Sequence, residues 1–147
     1  MANSLNVGQC VILKALQLSQ HITASAEFNL HHDSMCVAAD IEGVRTLSVS
    51  GEIDLSNCGE MRKAFGAETH QRSLIVSLLG VSYIDSTGIS VLLAEHSRRR
   101  DRDEQLIVVL PPPPCRRVFE ISRVTTILSC FTDLGEAVQQ AQASSLT

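Results

Sequence analysis

Two stretches of the chain alternate between apolar and polar positions. Met35, Val37, Ala39 and Ile41 are spaced by two, as are Leu47, Val49, Gly51 and Ile53. That period places each set on one face of a β-strand. Glu42-Gly43 between them supplies a turn with a residue that accepts positive φ, so the pair is expected to form a hairpin. The period then lengthens. Cys58, Met61 and Phe65 line one face of a predicted helix behind Asn57, a good N-cap, with Glu60 at the capping-box spacing. Leu74–Leu79 is a nearly continuous apolar run, which suits a central strand buried on both faces. A second helix is expected from near Ser86. Its Ile89, Leu92, Leu93 and His96 share a face, and Arg98, Arg99 and Arg100 complement the negative end of its dipole. Leu106–Leu110 reads as another buried strand. The Pro111–Pro114 run ends it and presets the backbone for a third helix, with Cys115, Val118, Phe119 and Ser122 facing inward. Ile127–Phe131 reads as a last strand. Asp133 with Glu136 repeats the capping-box spacing, and Leu134, Ala137, Val138 and Ala141 form the last helical stripe.

Two strands followed by alternating helices and strands predict one α/β domain. Its sheet should be small and mixed, four- to five-stranded and mostly parallel, with about four helices. The domain is expected over residues 35–143, with a frayed tail at 144–147. Residues 1–34 differ in character. Val11, Ala15, Leu18 and Ile22 fall at helical spacing among Asn, Ser, Gln and His. They read as an N-terminal extension, partly disordered or a short helix; a partner-binding helix is the sharper alternative.

Composition narrows the classes. The 147 residues include 12 basic and 16 acidic side chains, for a net charge of −4. A nucleic-acid binder normally carries a basic excess. With one Tyr, four Phe and no Trp, no base-stacking platform is on offer. Apolar runs reach about ten residues, short of the ~20 that a spanning helix needs. Residues 1–10 lack the basic start of a secretory leader, and Lys14 interrupts the apolar stretch that follows. Five cysteines, Cys10, Cys36, Cys58, Cys115 and Cys130, form no CxxC pair. Reduced, buried thiols in a cytoplasmic protein fit better than a zinc site or a disulfide framework. Cys58 and Cys115 form a candidate redox pair only if their Cα atoms lie within about 7 Å.

The most informative stretch is Gly80–Ile89, joining a buried strand to the start of a helix. Ligands and partners bind at this edge of open α/β sheets. Asp85, Ser86 and Thr87 all suit an N-cap, and capping is the plain reading of them. A hydroxyl exposed here could also accept a phosphoryl group, adding about −1.5 to −2 charges at neutral pH.

Tyr83-Ile84-Asp85-Ser86-Thr87-Gly88-Ile89 resembles the phosphorylation loop of bacterial anti-sigma factor antagonists, the STAS-domain family. Gly51-Glu52-Ile53-Asp54 is similar to that family's signature at the end of its second strand. Arg117-Val118-Phe119 with Ile121 and Ser122 is similar to a helical signature of the family. Three motifs in register make the resemblance specific. It implies a STAS fold, and a non-enzymatic protein that needs no cofactor; composition and run length add the expectation of no direct nucleic-acid contact and no membrane span. It implies that unphosphorylated protein binds an anti-sigma factor, itself an ATP-dependent serine kinase, and so frees a sigma factor for transcription. Phosphorylation of Ser86 would end that binding, and a phosphatase would reset it. Thr87 is a second candidate acceptor. Asp85 would orient the loop, Gly88 would let the partner's backbone come close, and Glu52 and Asp54 would sit beside the switch. The chain departs from the family pattern in two turns. No glycine lies between Arg98 and Gln105, and Arg123 stands where a glycine usually ends a helix. The alternative is a STAS domain without a switch, serving a transporter or a stress-signalling assembly.

Other sites fit less well. No GxSxG surrounds Ser86, and no P-loop occurs. The acidic pair and lysine of a phosphoacceptor receiver are missing from the expected strand ends. His96 reads as a core histidine, and His31-His32-Asp33 as solvated residues rather than metal ligands.

Overall fold

The computed structural model describes residues 35–68 and 71–145. The extension, with its Val11–Ile22 stripe, the His31-His32-Asp33 cluster and Cys10, lies outside the described residues. So does the end of the tail, residues 146–147.

The expected hairpin forms from β1 (Met35–Ile41) and β2 (Val44–Ile53). Its two-residue turn has positive φ at both Glu42 (51°) and Gly43 (81°), the twist that suits antiparallel strands. Then follow α1 (Cys58–Ala67), β3 (Ser73–Ile84), α2 (Ser86–Arg100) and β4 (Gln105–Val109). The chain ends with α3 (Arg116–Ser122), a 3-10 turn (Val124–Thr126), β5 (Ser129–Phe131) and α4 (Leu134–Ser145). The five strands lie in sequence order, β1 antiparallel to β2 and every other pair parallel.

Side chains of β3 and β4 alternate between two cores, as their continuous apolar runs require. Leu74, Val76, Leu78, Leu106 and Val108 meet α1, α2 and α3 through Met61, Phe65, Leu92 and Phe119. Ile75, Ile107 and Val109 face the other way, onto Leu134, Ala137, Val138 and Ala141 of α4. The helical stripes of α1 and α4 are thus the ones expected. The Asp133 carboxylate accepts from Glu136 N at 3.1 Å, as the capping spacing predicts.

Several local expectations are corrected. Asn57 makes no side-chain cap on α1. Its amide turns back instead, accepting from Asp54 N at 2.9 Å and donating to Glu52 O at 2.8 Å, and so ties down the end of β2. α3 is anchored by Phe119 alone. Val118 and Ser122 face outward, and the Ser122 hydroxyl satisfies itself on Val118 O at 2.7 Å. The prolines precede this helix rather than occupying its first turn, and Cys115 is its N-cap. β5 is shorter than predicted because the 3-10 turn takes up the chain, leaving Ile127 exposed. α4 continues past residue 143: Ser144 and Ser145 lie in its last turn and donate to Gln140 O and Ala141 O.

The largest correction concerns α2. Its buried face is Gly88, Ile89, Val91, Leu92, Glu95 and Arg99, while Leu93 and His96 are only half-buried. Arg99 has no exposed surface. Its guanidinium donates to Glu95 Oε1 (2.9 Å), Glu104 Oε2 (3.2 Å), Gln71 O (3.2 Å) and Glu68 O (2.6 Å). It therefore joins the end of α1, the approach to β3, the end of α2 and the approach to β4. The Glu68 carboxylate extends the network to β2 through Arg45 Nε at 2.7 Å. A buried charge is stable only when paired and hydrogen-bonded, which this one is.

Candidate partner-binding site

The opposite edge of the sheet carries the candidate switch. β2 and β3 end side by side, with Glu52 paired to Tyr83 and Ile53 to Ile84. Asp85 N donates to Ile53 O at 3.1 Å, carrying the pairing into the loop. Two register shifts precede this point, between Ser48 and Ser50 and between Gly51 and Glu52. Gly51 sits there at φ 90°, a conformation that a residue with a Cβ rarely adopts. Glycine in the Gly51-Glu52-Ile53-Asp54 motif therefore allows the strand end to turn.

This geometry brings Glu52, Asp54, Asp85 and Ser86 to one edge. Glu52 is exposed. The Asp54 carboxylate accepts from Ser56 N (2.9 Å) and Ser56 Oγ (2.5 Å), closing a tight loop before α1. Asp85 caps α2. Its backbone is extended, and Oδ1 accepts from Thr87 N (2.9 Å), Gly88 N (3.1 Å) and the Thr87 hydroxyl. The Thr87 hydroxyl chiefly holds the Asp85 carboxyl below its usual range; burial opposes it, and the Gly88 and Thr87 N–H groups each add a smaller lowering.

The three cap candidates thus have separate roles. Asp85 is the cap. Thr87 is half-buried with its hydroxyl committed to Asp85, which makes it a poorer acceptor than its neighbour. Ser86 is exposed, and its hydroxyl has no hydrogen bond to any described residue; only its carbonyl is used, by Ser90 Oγ at 2.8 Å. Gly88 is corrected from its expected role. It is buried, and a Cβ there would lie 2.6 Å from Ile84 Cγ1 and 3.0 Å from Ile53 Cγ2. Its small size serves the packing of α2 on the strand ends, not the approach of a partner.

Sequence reasoning missed the apolar part of this edge. Leu55, just past the end of β2, is 75% exposed, and Tyr83, next to the end of β3, is 51% exposed. Leu55 is close enough that its backbone N–H also supports the Asp85 carboxylate. The available signal was an apolar residue between Asp54 and Ser56, in a turn where burial was not required. Beside the edge, a cleft of about 240 Å³ runs between Leu79–Ser82 of β3 and Pro112–Cys115. The proline run therefore borders the same end of β3.

Cys58 and Cys115 are buried, free thiols in the same core cluster. Burial pushes the Cys115 thiol up, and Cys36 and Cys130 are each raised to about 11 by burial. A thiol that resists ionisation is a poor nucleophile. Among the described residues, no group of three or more His, Cys, Asp or Glu side chains could hold a metal ion. No helix among them is long and apolar enough to cross a membrane.

The STAS domain family model matches residues 36–137. No curated protein matches the sequence significantly. Among solved structures, the chain is similar to an anti-sigma factor antagonist from Mycobacterium paratuberculosis (23% identity, TM-score 0.68, covering 74% of this chain and 94% of that one). It is similar to the anti-sigma factor antagonist SpoIIAA in its unphosphorylated form (19% identity, TM-score 0.61, 74% and 97%). It also resembles part of the murine anion transporter Slc26a9 (18% identity, TM-score 0.63, 88% of this chain and 25% of that one). At these identities the likeness shows a shared fold.

Proposed function

The chain belongs to the STAS domain family, and from that premise we propose that it is an anti-sigma factor antagonist switched by phosphorylation of Ser86. In the unphosphorylated state it binds an anti-sigma factor over the edge formed by Glu52, Asp54, Leu55, Tyr83 and Ser86, and a sigma factor is released. The anti-sigma factor, carrying ATP, is the serine kinase that ends the interaction, and a phosphatase restores it. The protein itself performs no chemistry and works in a bacterial cytoplasm.

One observation carries this reading: Ser86 is exposed and its hydroxyl makes no hydrogen bond among the described residues. Asp85 already supplies the cap, so a serine at position 86 is not needed to start α2. A phosphate there would find Thr87 N and Gly88 N occupied by Asp85. The dianion would stay at the surface, near the carboxylates of Asp85, Glu52 and Asp54. The free protein tolerates this because water screens exposed charges. A partner that must bury the same edge would not, since desolvated like charges at an interface cost several kcal/mol.

The resemblance to a transporter domain favours the second reading, a STAS subunit without a switch. The two readings separate on Ser86. Intact-mass and phosphopeptide analysis of protein from its own host, with and without stress, should find phosphate on Ser86 that falls when the response is on. Ser86→Ala should hold the anti-sigma factor even with ATP present. Ser86→Asp should bind at least about tenfold more weakly, a difference of ~1.4 kcal/mol. An unmodified Ser86 in every condition, with equal binding by both variants, would favour the transporter reading.

A further inference from the structure

β3 outruns its neighbour on one side. It extends from Ser73 to Ile84, but its pairing with β4 ends where Ser77 meets Val109. From Leu78 onward it has β2 on one side and no strand on the other. Leu78, Leu79 and Ser82 have no register partner on β2 either. Every strand residue here carries an N–H and a C=O that need partners. A strand edge without a neighbour presents those groups as a template for pairing.

The segment after β4 opens this edge instead of pairing with it. Leu110 N turns away, to Phe131 O at 2.8 Å. Residues 111–114 are all proline and have no N–H to offer. Three of their carbonyls are turned to the start of α3. Pro111 O accepts from Arg116 Nε (3.0 Å), Pro112 O from Arg116 N (3.3 Å) and Pro114 O from Arg117 N (3.1 Å). What is left between Leu79–Ser82 and Pro112–Cys115 is the cleft of about 240 Å³. The Cys115 thiol meets the Ile84 backbone, which ties this wall to the loop that carries Ser86. The wall is also basic. Arg116 is half-buried against Pro111 O, Arg117 is exposed, and neither forms an ion pair among the described residues.

We propose that an extended segment of a protein partner, carrying an acidic side chain, adds to β3 as a strand along Leu79–Ser82. The occupant is a peptide backbone because a second strand meets the N–H and C=O groups of an edge at their own spacing. It is acidic because the wall beside the edge offers two guanidinium groups without a carboxylate. Main-chain hydrogen bonds supply the attachment, and the arginines select the segment. That the anti-sigma factor provides this segment rests on the function proposed above. The pairing itself does not.

The test is an amide NMR titration of the full, isotope-labelled chain with the capped peptide acetyl-Thr-Val-Glu-Val-Thr-amide. Strand addition predicts downfield shifts and slowed hydrogen exchange at amides within residues 79–83, developing by ~5 mM peptide. The same peptide methylated at every backbone nitrogen has lost its donors and should bind at least about tenfold more weakly. Exchanging its glutamate for lysine should weaken binding about threefold or more. No change at residues 79–83, or equal binding by either altered peptide, overturns the proposal. Amide exchange that is already slow there before peptide is added would show the chain covering its own edge, and overturns it. Shifts there on raising the protein concentration alone would assign the edge to a second copy, and overturn it too. None of these readings uses ATP, an anti-sigma factor or phosphorylation, so a switch that fails leaves the pairing result standing, and the reverse.

Discussion

Replacing Arg99 with methionine keeps most of the side chain's length and removes its charge and all its donors. The change leaves two carbonyls, Glu68 O and Gln71 O, and two carboxylates, of Glu95 and Glu104, without this partner. Breaking a buried ion pair from one side costs ~3–5 kcal/mol. The lower end applies here, because Glu95 keeps Arg98 at 2.7 Å and Glu104 keeps Arg102 at 2.9 Å. A loss of about 3 kcal/mol should lower Tm by roughly 12–20 °C for a domain of this size. Urea unfolding followed by far-UV circular dichroism is the assay, with an unchanged m-value as the sign that the folded state is intact. Arg100 is the internal control. It is exposed on the same turn, and Arg100→Met should change stability by no more than about 0.5 kcal/mol. If the arginines served only the helix dipole, each would contribute ~0.3–1 kcal/mol and the two variants would look alike. Equal small losses would refute the staple.

Three further outcomes follow from the switch edge and its neighbours. Gly88→Ala should destabilise by about 1–2 kcal/mol, because overpacking against Ile84 and Ile53 outweighs the better helix propensity of alanine; an unchanged urea midpoint would contradict this. Asp85→Ala should cost ~1 kcal/mol at pH 7 through loss of the cap. The folded Asp85 carboxyl titrates below its unfolded value, so its contribution is present above about pH 3.9 and disappears as pH falls through the folded value. The gap between wild type and Asp85→Ala should therefore narrow in acid, and a constant gap would show that charge plays no part. Arg123→Gly should stabilise by a few tenths to ~1 kcal/mol. Arg123 ends α3 at φ 59°, where a side chain is strained, and thermal melts would detect the gain.

The order of elements was legible along the chain because burial imposes a period. β3 and β4 are buried on both faces and read as continuous apolar runs, whereas β1 and β2 alternate. The stripes of α1 and α4 were legible for the same reason. The Gly51-Glu52-Ile53-Asp54 and Asp85-Ser86-Thr87-Gly88 motifs stood out because strand ends and helix starts demand particular residue types. Spacing alone could not divide the labour among three adjacent cap-forming residues. Only the folded edge assigns Asp85 to the cap, commits Thr87 to Asp85, turns Gly88 inward and leaves the Ser86 hydroxyl exposed, without a hydrogen bond among the described residues.

Arg98, Arg99 and Arg100 are indistinguishable in sequence, yet one is fully buried and the others exposed. The difference lies in where Glu68, Gln71 and Glu104 arrive in space, on segments up to 31 positions away. Likewise Asn57 has the right spacing for a cap, but Asp54 N and Glu52 O compete for its amide and win. Local sequence sets the period of burial and the conformations the backbone can take. Which polar partner a side chain meets, and whether an apolar one such as Leu55 is left in water, is decided by segments that become neighbours only when the sheet forms.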